Sequence, residues 1–182
     1  MTDTLHLRSL LNRLARLDDT GGWQEGLNPA QFAALEYLAQ ANRFSRSPSH
    51  LASYLAATRG TVSQTLKALE RKGLVAETRS ETDRRVVSYD LTEAGRRALP
   101  RPSPLEVALG QDEELTERLG ADLEALLRRA IAANNGQTFG ICRTCQHHQK
   151  GPDGRFCALL KVALAEPEAA QICHEHDPAP AE

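Results

Sequence analysis

All four cysteines of this chain fall in its last fifth: Cys142, Cys145 and Cys157 lie within "TFGICRTCQHHQKGPDGRFC", and Cys173 follows shortly after. Their spacing is C-x2-C-x11-C-x15-C. A C-x-x-C pair closes a tight turn that aims two thiolates at one centre, the spacing that metal knuckles use. Gly151, Pro152, Asp153 and Gly154 would return the chain to present Cys157, and "ALLKVALAEPEA" is expected as a short helix bringing Cys173 round. A segment this poor in large apolar residues has little core of its own. Bound metal would supply the missing folding energy, on the order of 10 kcal/mol for structural zinc. Zinc on Cys142, Cys145, Cys157 and Cys173 is therefore the first reading, because closed tetrahedral thiolate sites are the usual role of four such ligands. An iron–sulfur cluster ranks second, since the last two cysteines are singly spaced and form no second C-x-x-C. A dithiol switch through Cys142 and Cys145 ranks third, and unconnected buried thiols come last. His147, His148, His174 and His176 are interspersed among the cysteines but are not assigned as ligands.

A second chemistry lies on one predicted helix, "TVSQTLKALERKG". Val62, Leu66 and Leu69 recur at i, i+4 and i+7 and make an apolar face. The rest of the segment offers Arg59, Thr61, Ser63, Gln64 and Lys67, none of them acidic, which can bond base edges or phosphates in a major groove. Two predicted strands follow, Leu74 to Thr78 and Val86 to Leu91, the second alternating Val87, Tyr89 and Leu91 with polar residues. The loop between them carries Arg79, Asp83, Arg84 and Arg85, and a narrow minor groove attracts arginine. Two short helices and a hairpin are the parts of a winged helix–turn–helix.

Other elements must hold these in place. Leu7, Leu10, Leu14 and Leu17 form one stripe on an N-terminal helix. "LNPAQF" is a complete helix start, with Asn28 as cap, Pro29 in the first turn, Gln31 closing a capping box, and Leu27 and Phe32 spaced as a hydrophobic staple. Ser47 and Pro48 start the next helix, which carries Leu51 and Leu55. Thr92 caps a short helix after the hairpin. "LPRPSPLE" interrupts any long helix, and Leu115, Leu119, Leu123 and Leu126 stripe another from about Asp112 to Ala133. "NNGQTFG" reads as linker, and the end as a frayed tail. The fold class is thus mainly α with a small β-wing, in five parts. Residues 1–27 form an N-terminal dimerisation helix, 28–99 the winged helix–turn–helix, and 100–135 a proline-rich linker and dimerisation helix. Residues 136–176 form a small cysteine-rich metal-binding segment and 177–182 a disordered tail.

The wording of "TVSQTLKALERKGLV", "DRR" and "LTEAG", in that order and spacing, closely resembles the MarR family of bacterial transcriptional regulators, over about Leu5 to Leu99 and more loosely over the helix from Asp112 to Ala133. The resemblance implies a regulator, a repressor by preference, that binds double-stranded DNA as a homodimer on a pseudo-palindromic operator with half-sites about one helical turn apart. It makes the helix from Arg59 to Lys72 the recognition helix. It makes Asp83, Arg84 and Arg85 the wing signature, the aspartate orienting an arginine. It implies dimerisation through the N- and C-terminal helices. Peroxide-sensing relatives use a cysteine near the N-terminus; none occurs here before Cys142, so that mechanism does not carry over. A small-molecule inducer is a further partner class of the family, and no residues here identify one.

Composition fits this picture. The chain has 182 residues, 41% hydrophobic and 25% charged, with only 4% aromatic, so Leu, Ala and Val build the core. A net charge of −2 gives no global pull towards nucleic acid, and DNA binding must rest on local basic surface. No apolar run approaches the roughly 20 residues that span a bilayer, and the start lacks a signal-peptide layout. The expected location is the bacterial cytoplasm, at the nucleoid, where thiols stay reduced and clustered cysteines are ligands or redox centres. The chain is read as non-enzymatic. A thiol oxidoreductase is the weaker rival because no βαβ pattern surrounds the C-x-x-C, and a protein-binding winged helix is the third reading.

Overall fold

The computed structural model describes residues 3–21, 26–79, 86–99, 102–133, 139–152 and 154–179. Helix α1 (Thr4–Gly21) leads to α2 (Pro29–Gln40). The predicted start of α2 forms as read: the Asn28 side chain accepts from the Gln31 backbone at 2.9 Å, and the Gln31 side chain returns to the Asn28 N–H. Helix α3 (Pro48–Tyr54) is capped by Ser47, and α4 (Arg59–Arg71) by Thr58. Gly73, at φ +70°, ends α4 in the left-handed conformation that glycine adopts without cost. Strands β1 (Val75–Arg79) and β2 (Val87–Leu91) form an antiparallel hairpin, with Val75 opposite Leu91 and Arg79 opposite Val87.

One core unites these elements. Leu35 and Leu38 of α2, Leu51 of α3, Val62, Leu66 and Leu69 of α4, Val75 of β1, and Tyr89 and Leu91 of β2 are all buried in one cluster. Helix α5 (Glu93–Arg97) follows the Thr92 cap. Its Gly95 lies so close to the Leu74 carbonyl that a β-carbon there would collide with the oxygen and crowd a methyl of Leu91. This close approach explains the glycine of "LTEAG".

The proline segment differs from expectation in one respect. It does break the chain between wing and last helix, yet its final proline starts a helix: Ser103 caps α6 (Pro104–Leu109), and Glu106 completes a capping box. Proline lacks only an N–H that the first turn leaves unused, so it suits that position. The Leu105 N–H reaches the Asp18 carboxylate at 3.3 Å, tying α6 to α1. Helix α7 (Glu113–Ala133) then carries the second leucine stripe.

The cysteine segment is a set of small sheets. Strand β3 (Gly140–Ile141) pairs with β7 (Ile172–Cys173), and β4 (His148–Gly151), β5 (Gly154–Cys157) and β6 (Val162–Leu164) form an antiparallel meander. Three expectations change here. "ALLKVALAEPEA" is a turn, β6 and a 3-10 turn (Glu166–Ala170) instead of a helix. Lys161 sits at φ +56°, reversing the chain, and Pro167 withholds a helical N–H. Phe139, assigned to the linker, packs edge-on against Tyr54 with centroids 5.2 Å apart. The tail is paired as far as Ala179, whose N–H donates to the Thr144 carbonyl at 3.2 Å.

Gly95→Ala is expected to lower the unfolding free energy by about 1–3 kcal/mol, the usual penalty for forcing a methyl into a packed site. Denaturant titration followed by circular dichroism measures it; an unchanged midpoint would show that the backbone there yields freely.

Candidate nucleic-acid interface and thiol cluster

Burial of three side chains fixes the rotation of α4. Val62, Leu66 and Leu69 are 2%, 1% and 0% exposed. With that face inward, Arg59, Thr61, Gln64 and Lys67 stand exposed, and Ser63 is half-buried. The structure therefore brings the predicted helical residues onto one accessible side. Thr61 is partly engaged: its N–H is capped by Thr58 at 3.2 Å, and the two hydroxyls lie 2.9 Å apart. Gln64 and Lys67 follow one turn on. No acid lies in the first turn of α4, so the N-terminal end of the helix dipole and Arg59 present positive potential together.

The wing base is more neutral than the sequence suggested. Arg79 donates to Glu77 at 2.7 Å, and the Tyr89 hydroxyl reaches the other Glu77 oxygen at 2.7 Å. The Tyr89 hydrogen bond first, and Arg79 second, hold the Glu77 carboxyl below the usual carboxylate range. Arg79 is thus partly neutralised where it stands. Asp83, Arg84 and Arg85 lie outside the described residues.

A residue that sequence reasoning missed connects wing and helices. Arg46 donates twice to the Ala41 carbonyl, at 3.0 and 2.9 Å, pairs with Asp90 of β2, and accepts the Tyr89 N–H at its own carbonyl at 3.0 Å. Its place in a polar loop hid this role, because the partner in β2 is 44 positions away.

Three of the four cysteines meet in one cluster. Cys142 and Cys173 are buried with Leu164, and Cys157, Phe44 and Val162 pack against that cluster. Cys145 is also buried and sits one tight turn after Cys142, its N–H bonded to the Cys142 carbonyl at 3.1 Å. Backbone N–H groups point at sulfur: Leu160 at Cys157 (3.5 Å) and Asp177 at Cys145 (3.4 Å). The Cys173 sulfur accepts from the Asn42 side chain and the Glu175 backbone. Burial, then the neighbouring sulfurs of Cys173, Cys145 and Cys157, push the Cys142 thiol up to about 11; burial chiefly raises Cys173 as well.

Neighbouring sulfurs would repel one another once ionised, and a thiophilic cation among them would relieve that repulsion. The donor types and the N–H···S bonds fit such an ion. The arrangement of the free thiols does not close on it: among the described residues, no group of three or more His, Cys, Asp or Glu is arranged to hold a metal ion. Two of the histidines pack against neighbours. His174 stacks on His50 with centroids 3.5 Å apart, and the His176 ring fills the space that a side chain on Gly140 would need. A mainly apolar cleft of about 220 Å³, bordered by Tyr54, Leu127, Ile131, Phe139 and Ile141, lies between α7 and this segment. No spacing in the sequence announced it.

Known proteins give this geometry a frame. The family model described as MarR family matches residues 25–86. No curated protein matches the chain. Among solved structures, Streptococcus pneumoniae FabT in complex with DNA is 26% identical, covering 70% of this chain and 94% of that one, with a TM-score of 0.54. A mutant of S. aureus MepR is 24% identical and covers 71% of this chain and 99% of that one, with a TM-score of 0.54. The S. aureus MepR–DNA complex, also 24% identical, covers 71% and 98%, with a TM-score of 0.53. The matched span contains α2 to β1, and over it the chain is similar to the MarR family.

Proposed function

We propose that this chain is a sequence-specific DNA-binding transcriptional regulator of MarR type, acting as a homodimer on a pseudo-palindromic operator, and that it represses. The observation carrying this reading is the outward side of α4, where Arg59, Thr61, Gln64 and Lys67 are exposed over a face locked by Val62, Leu66 and Leu69. The similarity to FabT, a structure described as a complex with DNA, supports it. In this reading Gln64 bonds a base edge, and Lys67 and Arg59 hold phosphates. Arg84 and Arg85 of the hairpin reach the minor groove, with Asp83 orienting one of them.

A second copy of the chain completes the molecule. Leu7, Leu10, Leu14 and Leu17 on α1 are 43–51% exposed, and Leu119, Leu123 and Leu126 on α7 are 36–44% exposed. Two leucine stripes bared on long helices are the surface that a symmetric partner covers. Among the described residues no helix is long and apolar enough to cross a membrane.

Cys142, Cys145, Cys157 and Cys173 hold a metal in this proposal, zinc by preference, in a structural or sensing role. Bound there, zinc would supply charge to neutralise the thiolates and fasten the small sheets together. Metal analysis of protein purified without oxygen is expected to give zinc and no visible colour. Iron with sulfide and a brown product would replace zinc by an iron–sulfur cluster.

DNA binding is tested by fluorescence anisotropy against salt. Lys67→Ala should weaken binding to all sequences alike and reduce the salt slope by about one. Gln64→Ala should change base preference at one position, by about 1–3 kcal/mol of discrimination. Identical behaviour of the two variants across sequences would remove α4 from the groove.

A further inference from the structure

The corner between α2 and α3, residues 41–46, is held mainly from outside its own domain. Ala41 bridges to Ile172, and the Asn42 N–H donates to the Ile172 carbonyl at 2.9 Å. The His174 N–H donates to the Ser45 hydroxyl at 2.8 Å, which in turn donates to the Asn42 side-chain oxygen at 2.7 Å. Arg43 pairs with Glu168 at 2.8 Å and donates to the Ala163 carbonyl at 2.8 Å. Phe44 packs on the cluster of Cys142, Leu164 and Cys173. On the other side of the same corner, Arg46 joins Asp90 and Tyr89 of β2.

Asn42 and Ser45 are each 1% exposed. Buried polar groups of this kind cost free energy when they lose their partners, so the corner is stable in this form only while the cysteine-bearing segment is seated on it. The corner also sets the placement of α3, whose Leu51 packs in one core with α4.

We propose that the cysteine-bearing segment, residues 139–179, controls DNA binding through this corner: seated by the Ile172, His174 and Glu168 contacts, it holds α3, α4 and β2 in the DNA-reading arrangement, and unseated it releases them. This inference rests on the DNA-reading role of α4.

The test uses the full chain and two readouts: amide hydrogen exchange at residues 41–46 and 87–91, and the Kd for an operator fragment that the wild type binds. Arg43→Ala cuts the half-exposed tie to Glu168 and Ala163, and Glu168→Gln removes the charge while keeping the size. Each should speed exchange at Asn42 and Tyr89 and raise Kd, both by about three- to thirtyfold. Faster exchange at the corner with an unchanged Kd overturns the proposal, as does indifference of both readouts to the variants. A wild type that binds no DNA defeats the underlying reading first, and is recognised before any variant is made.

Discussion

The buried polar pair of Asn42 and Ser45 is the interaction on which the arrangement of this protein turns. Both are almost fully enclosed, so each must find its partners inside the protein. Asn42 finds Ile172, Phe44, Ser45 and Cys173; Ser45 finds Asn42, His174 and, through its carbonyl, the Tyr37 hydroxyl at 2.6 Å. These partners come from α2, from the corner and from the last strand. A helical core could tolerate small shifts by repacking, but a closed set of hydrogen bonds has few alternative geometries. The pair therefore ties two parts of the chain into one positional unit.

The surface chemistry depends on where charge is placed and not on how much there is. With a net charge of −2 the whole chain is faintly acidic, and the exposed start of α4 is locally positive because no acid lies in its first turn. Neutralisation is equally local. Glu77 pairs with Arg79 along the hairpin, and Lys72 donates to the Gly26 carbonyl and the Gln31 side chain. Basic residues close together in sequence are thus divided between structural and outward roles by their neighbours in space.

The C-terminal segment shows how a small unit without a large core is stabilised. It borrows one: Ile172, Phe139 and Ile141 join the core of the winged helix. Its remaining strands are fastened by polar ties, such as Arg155 to Glu166 at 2.7 and 2.5 Å, which are exposed and contribute modestly. The thiols of Cys142, Cys157 and Cys173 lie in a cluster of the segment's own, with Leu164 beside them.

Much of this was legible in the sequence because it is local. Caps at Asn28, Ser47 and Thr92 act within three residues, and the burial of Val62, Leu66 and Leu69 follows from a period of 3.6, so α2 to β2 formed where their residues require. The turn chemistry of the cysteine segment was harder to read, because "ALLKVALAEPEA" has helical composition, and its strand depends on pairing with β5 and on a left-handed Lys161. The amino-acid order by itself determined a winged helix with an exposed basic face and a set of grouped thiols. Only the tertiary structure decided that the thiols of Cys142, Cys157 and Cys173 cluster against Phe44 of the corner between α2 and α3, and that Arg46 and Arg79 are engaged within the protein. Those outcomes depend on hydrogen bonds and ion pairs whose strength comes from burial and from partners brought together by the fold. Ser45 and His174, joined by one such bond, stand 129 positions apart, far beyond what periodicity can register.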